Sequence, residues 1–172
     1  SVSGAAFQAM FRNPLVSPGL LGVLAGASFG AALAMLLGDR WILVQAGAFV
    51  GGLAAVFLSL GLARIYRTDS LLMLVLGGII STGLFTSMLS IVKALADPYN
   101  QLPAIVFWLM GRLSAVDATT VFALCAPILA GMAMLVLLGK ALNALSMGDE
   151  EAGTLGVNVP VVRTAVILAA TF

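Results

Sequence analysis

Long uncharged stretches separated by short polar ones set the pattern of this chain. Between Arg12 and Asp39 lie 26 consecutive uncharged residues; 23 follow from Trp41 to Ala63, 23 from Ser70 to Val92 and 22 from Ala118 to Gly139. A helix of about 20 apolar residues crosses the hydrocarbon layer of a membrane, so each stretch predicts one crossing. Ser1–Phe11 reads as the last turns of a further helix, and Thr164–Phe172 as the first turns of another. The expected fold is therefore an all-α membrane protein. It is a polytopic helical bundle with four whole and two partial transmembrane helices, and it forms an internal piece of a longer protein.

One uncharged stretch is too short to cross. Pro98–Gly111 has 14 residues and contains Pro103, which suits an interfacial or re-entrant helix on one membrane face. Lys and Arg give the orientation. With Arg12 in the cytoplasm, alternation puts Arg64, Arg67, Lys140 and Arg163 on its side and Arg40, Lys93 and Arg112 opposite, five against three. That bias has the sign of the positive-inside rule, and Trp41, Tyr66, Tyr99 and Trp108 all fall at predicted interfaces.

Small residues recur inside the stretches at every fourth position. The first carries Gly22, Gly26, Gly30, Ala34 and Gly38; the second Gly47, Gly51, Ala55, Ser59 and Ala63; the third Gly78, Thr82, Thr86 and Ser90. Residues four apart share a helix face, and grooves of small side chains let helix backbones approach closely in lipid. Tight packing is the plain reading of these stripes, and the wall of a substrate pathway is the sharper one. Pro127 predicts a kink in the fourth span, because it removes a backbone donor.

Composition narrows the function. The chain is 62% hydrophobic and 9% charged, with a net charge of +1, one cysteine (Cys125) and no histidine. A nucleic-acid binder needs a basic surface, a disulfide scaffold needs paired cysteines, and imidazole-based metal sites or catalytic triads need histidine. None of these requirements is met. No catalytic or metal-ligating residue is expected, and no phosphate-binding Gly-x-x-x-x-Gly-Lys-Ser/Thr motif occurs.

Two polar segments interrupt the apolar pattern in ways that packing does not require, although the first reads from its residues alone as a rigid inter-helix loop. In Phe11-Arg-Asn-Pro-Leu-Val-Ser-Pro-Gly19, two prolines four apart stop one helix and fix an extended turn before the next. Lys140–Pro160 is the second. Its first half predicts a short amphipathic helix with Leu142 and Leu145 on one side, broken at Gly148. Asp149, Glu150 and Glu151 then suit the positive end of a new helix, Gly156 a left-handed cap, and Pro160 a stop. A connection this long and this structured points to a docking surface on the cytoplasmic face.

These segments resemble the FecCD-type permeases, the membrane subunits of ATP-driven importers for iron-siderophores, haem and cobalamin. The resemblance rests on Ser3-Gly-Ala-Ala-Phe-Gln-Ala-Met-Phe-Arg-Asn-Pro-Leu15 with Pro18-Gly19-Leu-Leu-Gly22, on Tyr99–Asp117 with Phe107-Trp-Leu-Met-Gly-Arg-Leu113, and on Leu142–Val157. It covers essentially the whole chain in order. It implies one permease domain over 1–172, taken from a protein of about ten spans of ordinary length, with a periplasmic short helix in 98–117 and a cytoplasmic coupling loop in 140–160.

The resemblance also implies roles. Leu145, Gly148, Asp149, Glu150, Glu151, Ala152 and Gly156 would couple to a separate ATP-binding subunit, with Glu151 standing where alanine is more usual. Asn13 and Leu15, with Thr68 and Ser70, would belong to the cytoplasmic gate. Arg40 and Arg112 would help receive a periplasmic or lipoprotein substrate-binding protein. A second permease copy, identical or a close paralogue, would complete the pathway. The chain would bind no cofactor itself, ATP being held by the partner, and it would be a multi-pass protein of the cytoplasmic (inner) membrane of a bacterium. The rival reading is an ion-gradient-driven secondary transporter. Such proteins place ionisable groups at mid-membrane, and the four uncharged stretches offer none.

Overall fold

The computed structural model describes residues 2–38, 40–65, 71–111 and 118–171, and among them it is a bundle of α-helices without strands. The helices are α1 (Val2–Phe11), α2 (Val23–Leu37), α3 (Trp41–Ile65), α4 (Leu71–Leu95), α5 (Gln101–Met110), α6 (Ala118–Leu137), α7 (Gly139–Met147), α8 (Asp149–Thr154) and α9 (Val159–Thr171), with a 3-10 turn at Pro18–Leu21. The chain falls into two compact units: Ser1–Pro18 with Asp117–Phe172, and Gly19–Val116.

In the Gly19–Val116 unit the small-residue stripes of α2 and α3 meet backbone to backbone. A methyl group on Gly26 would collide with the Gly51 carbonyl, and one on Gly30 with the Gly47 carbonyl. α4 joins them through Gly77, where a Cβ would lie only 2.7 Å from the Ser59 carbonyl oxygen, and through Gly78 beside the Leu20 carbonyl. Buried hydroxyls reinforce the junction. Ser59 Oγ lies 2.9 Å from the carbonyls of Leu21 and Ala55, and Ser81 Oγ lies 3.0 Å from the same Ala55 carbonyl. α5 closes one end, where Ile105 packs with Ala32, Val92 and Ala96.

The first uncharged stretch is not one long helix. Pro18 opens a 3-10 turn, Gly22 takes a left-handed φ of 79°, and α2 keeps only 15 residues. At 1.5 Å per residue that is about 22 Å, short of the roughly 30 Å hydrocarbon layer. The expected four whole spans are corrected accordingly. Among the described residues two helices are long and apolar enough to cross, Trp41–Ala63 and Leu72–Leu95, with a third if Leu124–Leu137 and Gly139–Met147 form one bent span. That bend, 55°, falls where α6 gives way to α7, whereas Pro127 lies inside the continuous α6.

In the other unit α1 packs on α6, α7 and α9. Phe7 and Met10 bury almost completely, as do Leu145, Val166 and Ile167, and Phe7 stacks on Phe11 with ring centroids 6.0 Å apart. α9 begins earlier than the uncharged stretch from Thr164 indicated. It starts at Val159, with Pro160 in its first turn, where the missing N–H does no harm. Arg163, which bounded that stretch, lies inside the helix and is buried.

Candidate functional site

The two informative segments come together in the first unit. α1 ends in a pair of closing hydrogen bonds, Arg12 N to Ala9 O at 3.3 Å and Asn13 N to Gln8 O at 3.2 Å. This is a Schellman cap, with Arg12 in the left-handed position (φ 50°) that glycine usually fills. Beyond it, Asn13 Oδ1 accepts the Leu15 N–H at 3.0 Å, Asn13 O accepts the Val16 N–H at 3.3 Å, and Gln8 Nε2 donates to Pro14 O at 2.8 Å. The Asn13 side chain thus builds the turn. Leu15 is lifted on its tip, 89% exposed.

α7 and α8 form as the sequence indicates. Leu142, Ala144 and Leu145 bury one face of α7, and Gly148 breaks the helix at φ 139° and ψ 162°, a backbone conformation side chains rarely adopt. The space around Gly148 is also full. The Glu151 carboxylate folds back onto it, and Arg12 Nη1 lies 3.4 Å from where a Cβ would sit. α8 ends as α1 does, with Gly156 N to Gly153 O and Val157 N to Ala152 O both at 3.0 Å. Here the left-handed position (φ 79°) is held by Gly156, the cap expected of it.

The residues assigned to coupling divide by burial. Leu145, Gly148 and Ala152 face inward and hold the loop in shape, whereas Glu150, Glu151 and Gly156 are exposed. Asp149 is engaged: Arg163 Nη2 donates to both of its carboxylate oxygens at 2.9 Å. The arginine side chain is 9% exposed and the aspartate 51%, so a buried charge is compensated by a partner at the surface, next to the positive end of α8. Two exposed apolar residues were missed from the sequence, Met147 and Leu155. They flank the acids, Met147 at the end of α7 and Leu155 just past α8, where no helical period marks either position.

The other assigned residues lie apart or outside. Thr68, Ser70 and Arg112 fall outside the described residues. Arg40 is exposed, and its carbonyl accepts the Leu43 and Val44 N–H groups that open α3. A cleft of about 310 Å³ in the same unit is lined by Met35, Leu36, Leu37 and Gly38 at the end of α2, by Asn100, and by Gln101 and Ala104 of α5. The α4 stripe splits in two. Gly78 is buried in the packing, while Thr82, Thr86 and Ser90 are exposed, joined by Gly83 and Ser87 on the same side. Three of these hydroxyls are returned to carbonyls four residues back: Thr82 to Gly78 at 2.8 Å, Ser87 to Gly83 at 2.9 Å and Ser90 to Thr86 at 3.0 Å. No group of three or more metal-ligating side chains occurs among the described residues.

Comparison with known proteins follows the same line. A family model described as the FecCD transport family matches residues 1–172. The chain is 35% identical over 167 residues to the molybdate import system permease protein MolB of Haemophilus influenzae, covering 97% of the chain and 50% of that protein. It is 34% identical over 176 residues to the vitamin B12 import system permease protein BtuC of Yersinia enterocolitica, covering 98% and 50%. A solved structure, an inward-facing conformation of a metal-chelate type ABC transporter, superposes with a TM-score of 0.86 at 34% identity, over 99% of this chain and 54% of that one. The chain thus spans about half the length of the curated relatives it matches.

Proposed function

Because the chain belongs to the FecCD transport family, we propose that it forms part of the transmembrane subunit of an ATP-driven importer. The cargo is an iron chelate (siderophore or haem) or cobalamin, moved across the bacterial cytoplasmic membrane by alternating access. The observation that carries this reading is the exposed α8 segment with Glu150, Glu151, Leu155 and Gly156, set on a buried base of Leu145 and Ala152. A rigid base under a mixed acidic and apolar tip suits docking of a separate ATP-binding subunit, where charge directs the encounter and apolar contact holds it. Hydrolysis belongs to that subunit. Closure of the two ATPases moves the docking segments and hence the gates.

The remaining assignments follow from the same reading. Asn13 and Leu15, with Thr68 and Ser70, contribute to the cytoplasmic gate. Arg40 and Arg112 meet acidic groups of a substrate-binding protein, which suits guanidinium geometry. The exposed hydroxyl side of α4 supplies a wall on which the Thr82, Ser87 and Ser90 hydroxyls are already hydrogen-bonded, and a second permease copy completes the pathway. Molybdate is a second cargo reading, favoured by the 35% identity to a molybdate permease.

The test uses the intact parent protein in detergent. An ATP-binding subunit should co-purify with it, and joint replacement of Glu150 and Gly156 should abolish that association. An intact protein that recruits no ATPase would overturn the assignment and put an ion-gradient-driven transporter in its place.

A further inference from the structure

The Arg163–Asp149 pair joins two elements with different tasks, and we propose that it is the link through which movement of α8 is passed to α9. The inference rests on the docking role assigned to α8 above. α8 has six residues, and its end at Gly156 has no atoms within 4 Å of the space a side chain would take. Its far end is therefore open, while its start abuts α7 and α9. Ala152 is buried beneath it, and the polar tie to α9 runs from Asp149 at its first residue to Arg163 in the second turn of α9.

The chemistry favours transmission over simple anchoring. Arg163 is buried to about nine-tenths of its side chain, so parting it from Asp149 leaves a cation in a poorly solvated place. The pair resists separation, and α9 must follow when the first turn of α8 is displaced. α9 is in turn packed on α1 and α6, so displacement of α9 reaches two further helices. The backbone joins α8 to α9 through the four residues Leu155–Asn158, and the side-chain pair adds a second tie. Arg163 acts as a positioning residue: it lies off the exposed tip of α8 and works through Asp149.

The contact geometry defines the variants. A single nitrogen, Nη2, makes both 2.9 Å contacts, so the one ammonium of lysine can take its place, whereas methionine keeps bulk and loses the charge. The experiment uses the full-length permease with its ATP-binding subunit in liposomes, with Cys125 and any cysteine outside residues 1–172 replaced by serine. A spin label is placed either on exposed Thr154 of α8 (Thr154→Cys) or on exposed Val161 of α9 (Val161→Cys). ATP with vanadate should change the spectrum of both labels. In Arg163→Met the α8 label should still respond while the α9 response is lost, and Arg163→Lys should restore it. Asp149→Asn, which keeps the size of the side chain and removes its charge, should repeat the loss if Arg163→Met fails to assemble. An α9 label that responds fully in Arg163→Met, or in Asp149→Asn where that is the variant that assembles, overturns the link. A wild-type complex whose α8 label never responds refutes the docking role of α8 and with it the basis of the link.

Discussion

Gly26 of α2 and Gly51 of α3 face each other so closely that a methyl group on either would run into the carbonyl oxygen of the other. In lipid no hydrophobic drive brings helices together, so backbone proximity of this kind is itself the source of packing energy. Gly51→Ala should therefore destabilise the unit by about 1–3 kcal/mol, the usual cost of overpacking. Gly61 in the same helix has nothing within 4 Å of its would-be Cβ, and Gly61→Ala should be neutral or stabilising by up to about 1 kcal/mol. Thermal unfolding of the two variants in detergent decides the matter, and equal effects would refute the close approach.

The hydroxyls of Ser59 and Ser81 meet at the Ala55 carbonyl, with Ser59 also reaching Leu21. A hydroxyl has one proton to donate, so the two serines share acceptors and their contributions should not add. Ser59→Ala and Ser81→Ala should each cost about 0.6 kcal/mol and at most about 1.7 kcal/mol, the mean and the maximum for interhelical hydrogen bonds in a membrane protein. The double variant should cost measurably less or more than the sum. Strict additivity would show that the serines act independently.

How much of this was legible beforehand depended on the range of the signal. The α2–α3 packing was readable because Gly26, Gly30, Gly47 and Gly51 repeat at the helical period. The break at Gly148 and the cap at Gly156 were readable because glycine marks left-handed backbone locally. The shortening of α2 was harder, since lack of charge says nothing of whether Pro18 and Gly22 leave the backbone helical. The Asp149–Arg163 pair was invisible. Its partners are 14 residues apart on two helices, and no spacing rule joins them. Arg163 even misled, because a charge was read as the edge of a span when a partner allows it to be buried.

Arg12 and Gly156 hold the same position in the same cap, one with a side chain and one without. The left-handed conformation costs an ordinary residue about 1–2 kcal/mol, so Arg12→Gly should match or exceed the wild type in thermal stability. Arg12→Val should fall below it, because a branched Cβ is least tolerant of that backbone. Uptake should nevertheless drop in Arg12→Gly if the guanidinium beside Gly148 steadies the α7–α8 joint. Stability and transport both unchanged would leave Arg12 no role beyond its cap.

At Gly156 the open surroundings separate backbone strain from contact. Gly156→Asn preserves left-handed propensity and should fold normally, whereas Gly156→Val should strain the end of α8 by about 1–2 kcal/mol. If the ATP-binding subunit packs directly over this position, both variants should lose co-purification. Loss in Gly156→Val alone would assign the effect to the shape of the cap.

Leu15 offers the cleanest test of the gate. It is 89% exposed on a turn that Asn13 holds, and so contributes almost nothing to the buried core. Leu15→Ser should change stability by no more than about 0.5 kcal/mol, as surface substitutions do. Asn13→Asp keeps an oxygen to accept the Leu15 N–H and should preserve the turn, while Asn13→Ala should loosen it and cost about 1 kcal/mol for the lost hydrogen bond. A gate at this tip predicts that Leu15→Ser and Asn13→Trp alter ATP-driven uptake while complexes with the ATPase still form. Uptake at the wild-type rate in both would reduce the segment to a connection between α1 and α2, however well ordered its turn.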